Sequence, residues 1–189
     1  KRQTLLAHLE KIVQYNVQSS DKEKFDGVML DIEPYISDSW KENPEEYMDR
    51  YISCMKKGYK FAQKNHLRTA ICIPRHYDNQ GLTSGLEELI KETCDEVAVM
   101  NYSCGNEIEA IRTEAALSEK YGKELHCILE FQEVGKHGLT ENKTYRNKGI
   151  DNAKETWEKL QKEYKNINVT RDYHWSRPVR EMLEEKNAD

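Results

Sequence analysis

Two carboxylates stand two residues apart, Asp31 and Glu33, in the run Phe25-Asp26-Gly27-Val28-Met29-Leu30-Asp31-Ile32-Glu33-Pro34. In an extended strand, residues two apart share a face, so Met29, Asp31 and Glu33 point the same way. Close carboxylates repel, and one of them is pushed to hold a proton near neutral pH, which is how a glutamate becomes a general acid. Glu33, nearer the carboxyl end of the run, is the better acid. The same pair has a plainer use: it could cap the following segment or pair with Arg75 or Lys41.

Further polar residues follow other apolar runs. Arg75, His76 and Asp78 form one group, which could bind sugar hydroxyls or pair internally. Asn101 and Tyr102 form another, then Glu130 and Gln132, then His174 and Trp175. Glu130 shares a strand face with His126 and Ile128; it could serve as a nucleophile or base, or as the buried partner of an Arg or His. His174 has no second His or Cys at ligand spacing, so a hydrogen-bonded histidine is the expectation, with no metal and no cofactor. Trp40 and Tyr35 could form an aromatic platform for a sugar or staple a loop to the rim. Trp157, with Leu160 and Tyr164 on one helical face, reads as packing. The basic stretch around Gly135 and Gly138, with Lys143, Arg146 and Lys148, reads as a solvated loop, with contact to an acidic sugar as the lesser option.

The elements that must position these residues alternate. Leu5, Leu9, Ile12 and Val13 recur at helical spacing, and the first strand is expected over Gly27 to Ile32. Asn43-Pro44-Glu45-Glu46 marks a helix start, with Pro in the first turn and acids at the positive dipole end, running to Asn65. Further strands are expected over Arg68 to Ile73, Glu96 to Met100, Leu125 to Phe131 and Asn168 to Tyr173. Helices are expected over Leu82 to Thr93, Glu107 to Tyr121 stopped by Gly122, and Asn152 to Tyr164, with a short one opened by Pro178. Five nearly continuous apolar strands alternating with helices indicate an α/β fold with a parallel sheet covered by helices. A doubly wound sheet and a barrel both fit, and no Gly-x-Gly-x-x-Gly or P-loop follows any strand. Residues 1–189 are expected as a single domain.

The composition is that of an ordinary globular protein, 37% hydrophobic and 33% charged. A net charge of −5 from interspersed residues offers no basic stripe, so no nucleic-acid partner is expected. No apolar run approaches the roughly 20 residues of a membrane span, so no membrane partner is expected either. Extracellular and cytoplasmic settings both stay open. The five cysteines have no CxxC spacing, and their odd count favours free, mostly buried thiols over a disulfide framework.

The segment Asp26-Gly27-Val28-Met29-Leu30-Asp31-Ile32-Glu33 resembles the Asp-Gly-x-Asp-x-Asp-x-Glu signature of family 18 of the glycoside hydrolases, the chitinase-like barrels. Asp26, Gly27, Asp31 and Glu33 agree; Met29 departs, standing where the family has its middle aspartate. Met100-Asn101-Tyr102 resembles the family's Met-x-Tyr, and Tyr173-His174-Trp175 falls where such barrels carry a Trp under the sugar. The resemblance implies a (β/α)8 TIM barrel in which this chain is the C-terminal portion, five βα units carrying strands four to eight. It also implies Glu33 as the acid, Asp31 orienting a substrate acetamido group, Tyr102 hydrogen-bonding that group, and Trp175 stacking beneath the sugar. Strands one to three are then expected upstream, with that segment or another chain covering the exposed strand edges.

The expected function is hydrolysis of β-linked sugars, N-acetylated ones among the candidates, with a carbohydrate as the partner. The alternative is a non-catalytic carbohydrate-binding barrel in which Met29 records lost tuning of the acid. A barrel acting on phosphorylated or amino-acid substrates lacks a Gly-rich strand-end loop and ranks last.

Overall fold

The structure, a computed structural model, describes residues 2–188. Five strands form one parallel sheet in the order β1-β2-β3-β4-β5, with helices between them. By their contacts the residues fall into two compact units, 1–97 and 98–189.

The first unit opens with α1 (Arg2–Gln18), whose Leu5 and Leu9 are buried. Strand β1 (Gly27–Asp31) follows, then a single 3-10 turn and the short α2 (Asp38–Glu42). Helix α3 (Pro44–Lys64) starts where its sequence says it should: the Asn43 side chain accepts from the Glu46 backbone N–H and donates to the Glu46 carboxylate, a reciprocal cap. Its Met48, Tyr51, Ile52, Met55 and Ala62 are buried at helical spacing. Strand β2 (Arg68–Pro74) is buried at every position after the first, as a strand covered on both faces must be. Helix α4 (Thr83–Thr93) buries Leu86, Leu89 and Ile90. The Asp95 carboxylate after it accepts from the Thr69 backbone N–H at 2.9 Å and the Tyr59 hydroxyl at 2.7 Å, which ties the entry of β3 (Glu96–Met100) to β2 and α3.

In the second unit the expected helix from Glu107 to Tyr121 is two pieces, α5 (Glu107–Ala110) and α6 (Arg112–Tyr121). Ile111 leaves the helical region at φ −126°, ψ 17°, and its side chain is fully buried. The break also leaves the buried Glu107 carboxylate accepting from the Gly105 N–H and the Tyr145 hydroxyl, contacts that no periodicity reveals. Gly122 stops α6 as expected, in the left-handed conformation at φ 62°. Strand β4 (Glu124–Glu130), helix α7 (Ile150–Glu163), strand β5 (Val169–His174) and α8 (Ser176–Ala188) complete the unit. Trp157 of α7 is buried beside Phe131 and donates its indole N–H to the Cys127 carbonyl at 3.0 Å, the packing role expected of it.

All five cysteines are free, and Cys72, Cys94 and Cys127 are buried. Among the described residues no helix is long and apolar enough to cross a membrane.

Gly27 in the signature run has a packing reason. Its Cα lies opposite Arg68 in the β1–β2 ladder, and a Cβ there would stand 2.8 Å from the Arg68 carbonyl oxygen. That atom is backbone, so the strands themselves would have to part. Gly27→Ala is therefore expected to destabilise the protein by about 1–3 kcal/mol, which urea unfolding of the two proteins measures directly.

Candidate functional site

The residues singled out from the sequence lie at or just beyond strand carboxyl ends, some in each unit. In the first unit, β1 ends at Asp31, which sits opposite Cys72. Met29 and Asp31 are on the exposed face of the strand, Met29 at 50%. Glu33 lies past the strand, half-buried, at φ −104° and ψ 80°. Pro34 then opens the 3-10 turn, which carries Tyr35 round so that its hydroxyl donates to Glu33 Oε1. Burial first, then the Glu33 carboxylate, pushes the Tyr35 phenol well above its ordinary range, so it remains a donor at any working pH. Glu33 is thus an oriented carboxyl group. Lys41 is not its partner; it pairs with Asp38 at 3.1 Å.

Around this pair stands an aromatic wall. His76 meets the Tyr35 ring edge-on at 5.3 Å between centroids, and Tyr77 meets it at 6.1 Å. Burial, and next the Arg75 charge, lowers the His76 pKa below the ordinary imidazole value, so the ring is neutral at pH 7 and can both donate and accept. Trp40 corrects an expectation. At 4% exposure, with its ring 5.5 Å from the fully buried Tyr77, it offers no face to a sugar and acts as the staple of its loop.

In the second unit Asn101 is also corrected from a substrate contact to an interior residue. Its side-chain N–H donates to the Glu107 carbonyl at 2.9 Å and to Cys127 Sγ at 3.5 Å. Tyr102, half-buried, lies with its ring 6.1 Å from that of His174. The parallel register puts Glu130 of β4 directly opposite His174 of β5. Glu130 is 2% exposed, and its two oxygens take four contacts. Oε1 accepts from the backbone N–H groups of Phe131 and Gln132, both at 2.8 Å. Oε2 lies 2.9 Å from His174 Nδ1 and accepts from the Gln132 side chain at 3.2 Å. Burial works to raise the Glu130 pKa, but the His174 and Gln132 donors outweigh it and the net shift is downward. The segment after β4 is pinned there too: the Tyr145 N–H donates to the Glu130 carbonyl, and the Thr144 hydroxyl to the Gln132 carbonyl.

Trp175 follows β5 through a cis peptide bond from His174 and is 45% exposed. It borders a shallow recess of about 120 Å³ with Gln132, Arg146 and Arg177. The cations there are matched by acids: Arg146 by Glu185 at 2.6 Å, Arg177 by Glu181 at 2.9 Å and Lys136 by Glu133 at 2.9 Å. The recess therefore has little unspent positive charge for an acidic sugar. A second imidazole–carboxylate pair, His126 with Asp172 at 3.0 Å, lies on the same faces of β4 and β5. Among the described residues no group of three or more His, Cys, Asp or Glu could hold a metal ion.

Sequence reasoning missed the Tyr35 hydroxyl on Glu33 and the Gln132 side chain on Glu130. The first carries a local signal, because a proline between an acid and a tyrosine invites a turn that folds one onto the other. Glu130 opposite His174 carries none without the register.

A carboxylate whose folded pKa is depressed adds stability above its unfolded value, and loses it as pH falls through the folded one. The Glu130 contribution is therefore full above the ordinary 4.5 and fades below it. Glu130→Gln is expected to cost about 1–3 kcal/mol at pH 7. The gap between the two proteins should close as the pH is lowered past that point, as chemical denaturation at pH 7, 5 and 3 would show.

The chain matches no protein-family model, no curated protein and no solved structure.

Proposed function

We propose that this chain carries the general acid of a glycoside hydrolase acting on β-linked sugars, N-acetylated ones included, with Glu33 as the acid and Asp31 beside it. The observation that carries the reading is the oriented carboxyl group: Glu33 stands just past the carboxyl end of β1, held by the Tyr35 hydroxyl, one step beyond the exposed Asp31. Strand carboxyl ends are where parallel α/β folds place their chemistry. The resemblance of the Asp26 to Glu33 run to the chitinase-like signature supports the same assignment, and gives Tyr102 and Trp175 their roles as acetamido hydrogen-bonding group and sugar-stacking ring.

The finer fold belongs to the same proposal. A doubly wound sheet reverses its strand order at a switch point. Here the order β1-β2-β3-β4-β5 runs without reversal, which supports a sector of a (β/α)8 barrel with five of its βα units.

One observation favours the non-catalytic alternative: Met29 puts an exposed thioether where the family has a carboxylate. Aryl β-glycosides, including the N-acetylglucosaminide and chitobioside, separate the readings. Cleavage by the wild type, with kcat lower by about 10²–10⁴-fold in Glu33→Gln, is the expected result for a general acid. Equal turnover by both proteins overturns the assignment. Sugar binding without cleavage by the wild type moves the protein to the binding class.

A further inference from the structure

We infer that Arg75 is an anion-binding residue beside Glu33, and that the sugar taken there carries an acidic group, a carboxylate or a sulfate ester; the inference rests on the glycosidase reading and names its substrate class. Arg75 is the first residue past the carboxyl end of β2, which closes at Pro74, as Glu33 stands just past the end of β1. Both lie within residues 1–97, so the site needs no group from the second unit. His76 links them: it follows Arg75 in the chain and meets the ring of Tyr35, whose hydroxyl donates to Glu33.

Arg75 is set apart by its want of a counter-charge. Arg50, Arg68 and Arg177 are exposed, yet each holds a carboxylate, at 2.5, 2.6 and 2.9 Å. The half-buried Arg146 holds one at 2.6 Å. Arg75 is half-buried too, and among the described residues its guanidinium has neither an ion pair nor a hydrogen bond. Acids are not scarce, for the chain has 34 of them against 29 lysines and arginines. A charge drawn partly out of water without a counter-charge costs the fold stability, and a ligand that supplies the counter-charge removes that cost. His76 does not share the task as a second cation, since burial and then the Arg75 charge keep its ring neutral at pH 7.

The chemistry fits an oxyacid. A guanidinium presents its N–H donors in a flat fork that matches two oxygens of a carboxylate or a sulfate, with opposite charges across each bond. A neutral sugar hydroxyl leaves that charge unmet. An anionic sugar that comes to Glu33 also comes to Asp31, which is exposed at the end of β1, and like charges repel. A cation at the neighbouring strand end offsets that repulsion, which a neutral sugar does not need. Arg146, Arg177 and Lys136, the cations around Trp175, are already matched by acids.

The probes are an aryl β-glucuronide and an aryl 6-sulfo-N-acetyl-β-glucosaminide, each beside its neutral parent, the β-glucoside and the N-acetyl-β-glucosaminide. The wild type should cleave one anionic glycoside with a higher kcat/KM than its parent, and which one does so tells carboxylate from sulfate. Arg75→Gln should lower that anionic-to-neutral ratio by about 10–100-fold, chiefly through KM, as a charge-assisted contact is lost, and Arg75→Lys should restore part of it. A ratio unchanged in Arg75→Gln, or neutral parents preferred by the wild type, overturns the inference. Urea unfolding gives a second check. With no partner to lose, Arg75→Gln should unfold at the wild-type urea concentration or above it; a lower midpoint reveals a structural partner and overturns the inference. If no glycoside is cleaved, the glycosidase reading fails, and calorimetric titration of the same four compounds still decides the anion site. Binding of an anionic compound over its parent, lost in Arg75→Gln, sustains the site, and its absence overturns it.

Discussion

Register between neighbouring parallel strands is the constraint that decides what chemistry this chain can do. A side chain on a strand has its face fixed by alternation, and the residue beside it on the next strand is fixed by the ladder. With Glu130 opposite His174, the last residue of β4 meets the last residue of β5, and a carboxylate buried at the sheet end acquires a cross-strand partner beside the Phe131 and Gln132 donors of its own strand end. A slip of one residue would set Glu130 beside Tyr173 or Trp175 and turn the His174 ring to the opposite face. The buried charge would then lose its cross-strand partner and keep only the donors of Phe131 and Gln132, at a cost of several kcal/mol. The same rule holds at β1, where the fit of Gly27 against Arg68 sets the height at which Asp31 emerges.

The element order was legible because its signals are local. Apolar runs such as Arg68 to Pro74 contain no helical period, and Asn43 and Gly122 terminate helices by side-chain and backbone chemistry that can be read residue by residue. What could not be read depends on contacts distant in sequence. Trp40 presents the same indole whether it faces a sugar or Tyr77, and only the fold of its loop puts it against Tyr77. Asn101 sits in a motif that resembles a substrate-binding one, yet its amide N–H group is directed inward to Glu107 and Cys127, the latter 26 residues away. The Glu107 carboxylate at the start of α5 accepts from the Tyr145 hydroxyl, 38 positions on.

Two imidazole–carboxylate pairs on one strand pair, His126 with Asp172 and His174 with Glu130, show how one chemistry takes different roles by depth. In the first pair neither partner is fully dry and the imidazole is the more enclosed member, which suits a cross-strand tie. In the second the carboxylate is dry and the imidazole is wet.

Glu33 is held in another way. Its donor is a phenol two residues along its own chain, brought round by a proline-initiated turn rather than by strand pairing. A phenol that stays protonated orients the carboxyl group without contributing a charge. The neutral His76 beside Tyr35 adds no charge either. The carboxyl group therefore keeps its orientation across the working pH range, because the phenol that holds it does not ionise there.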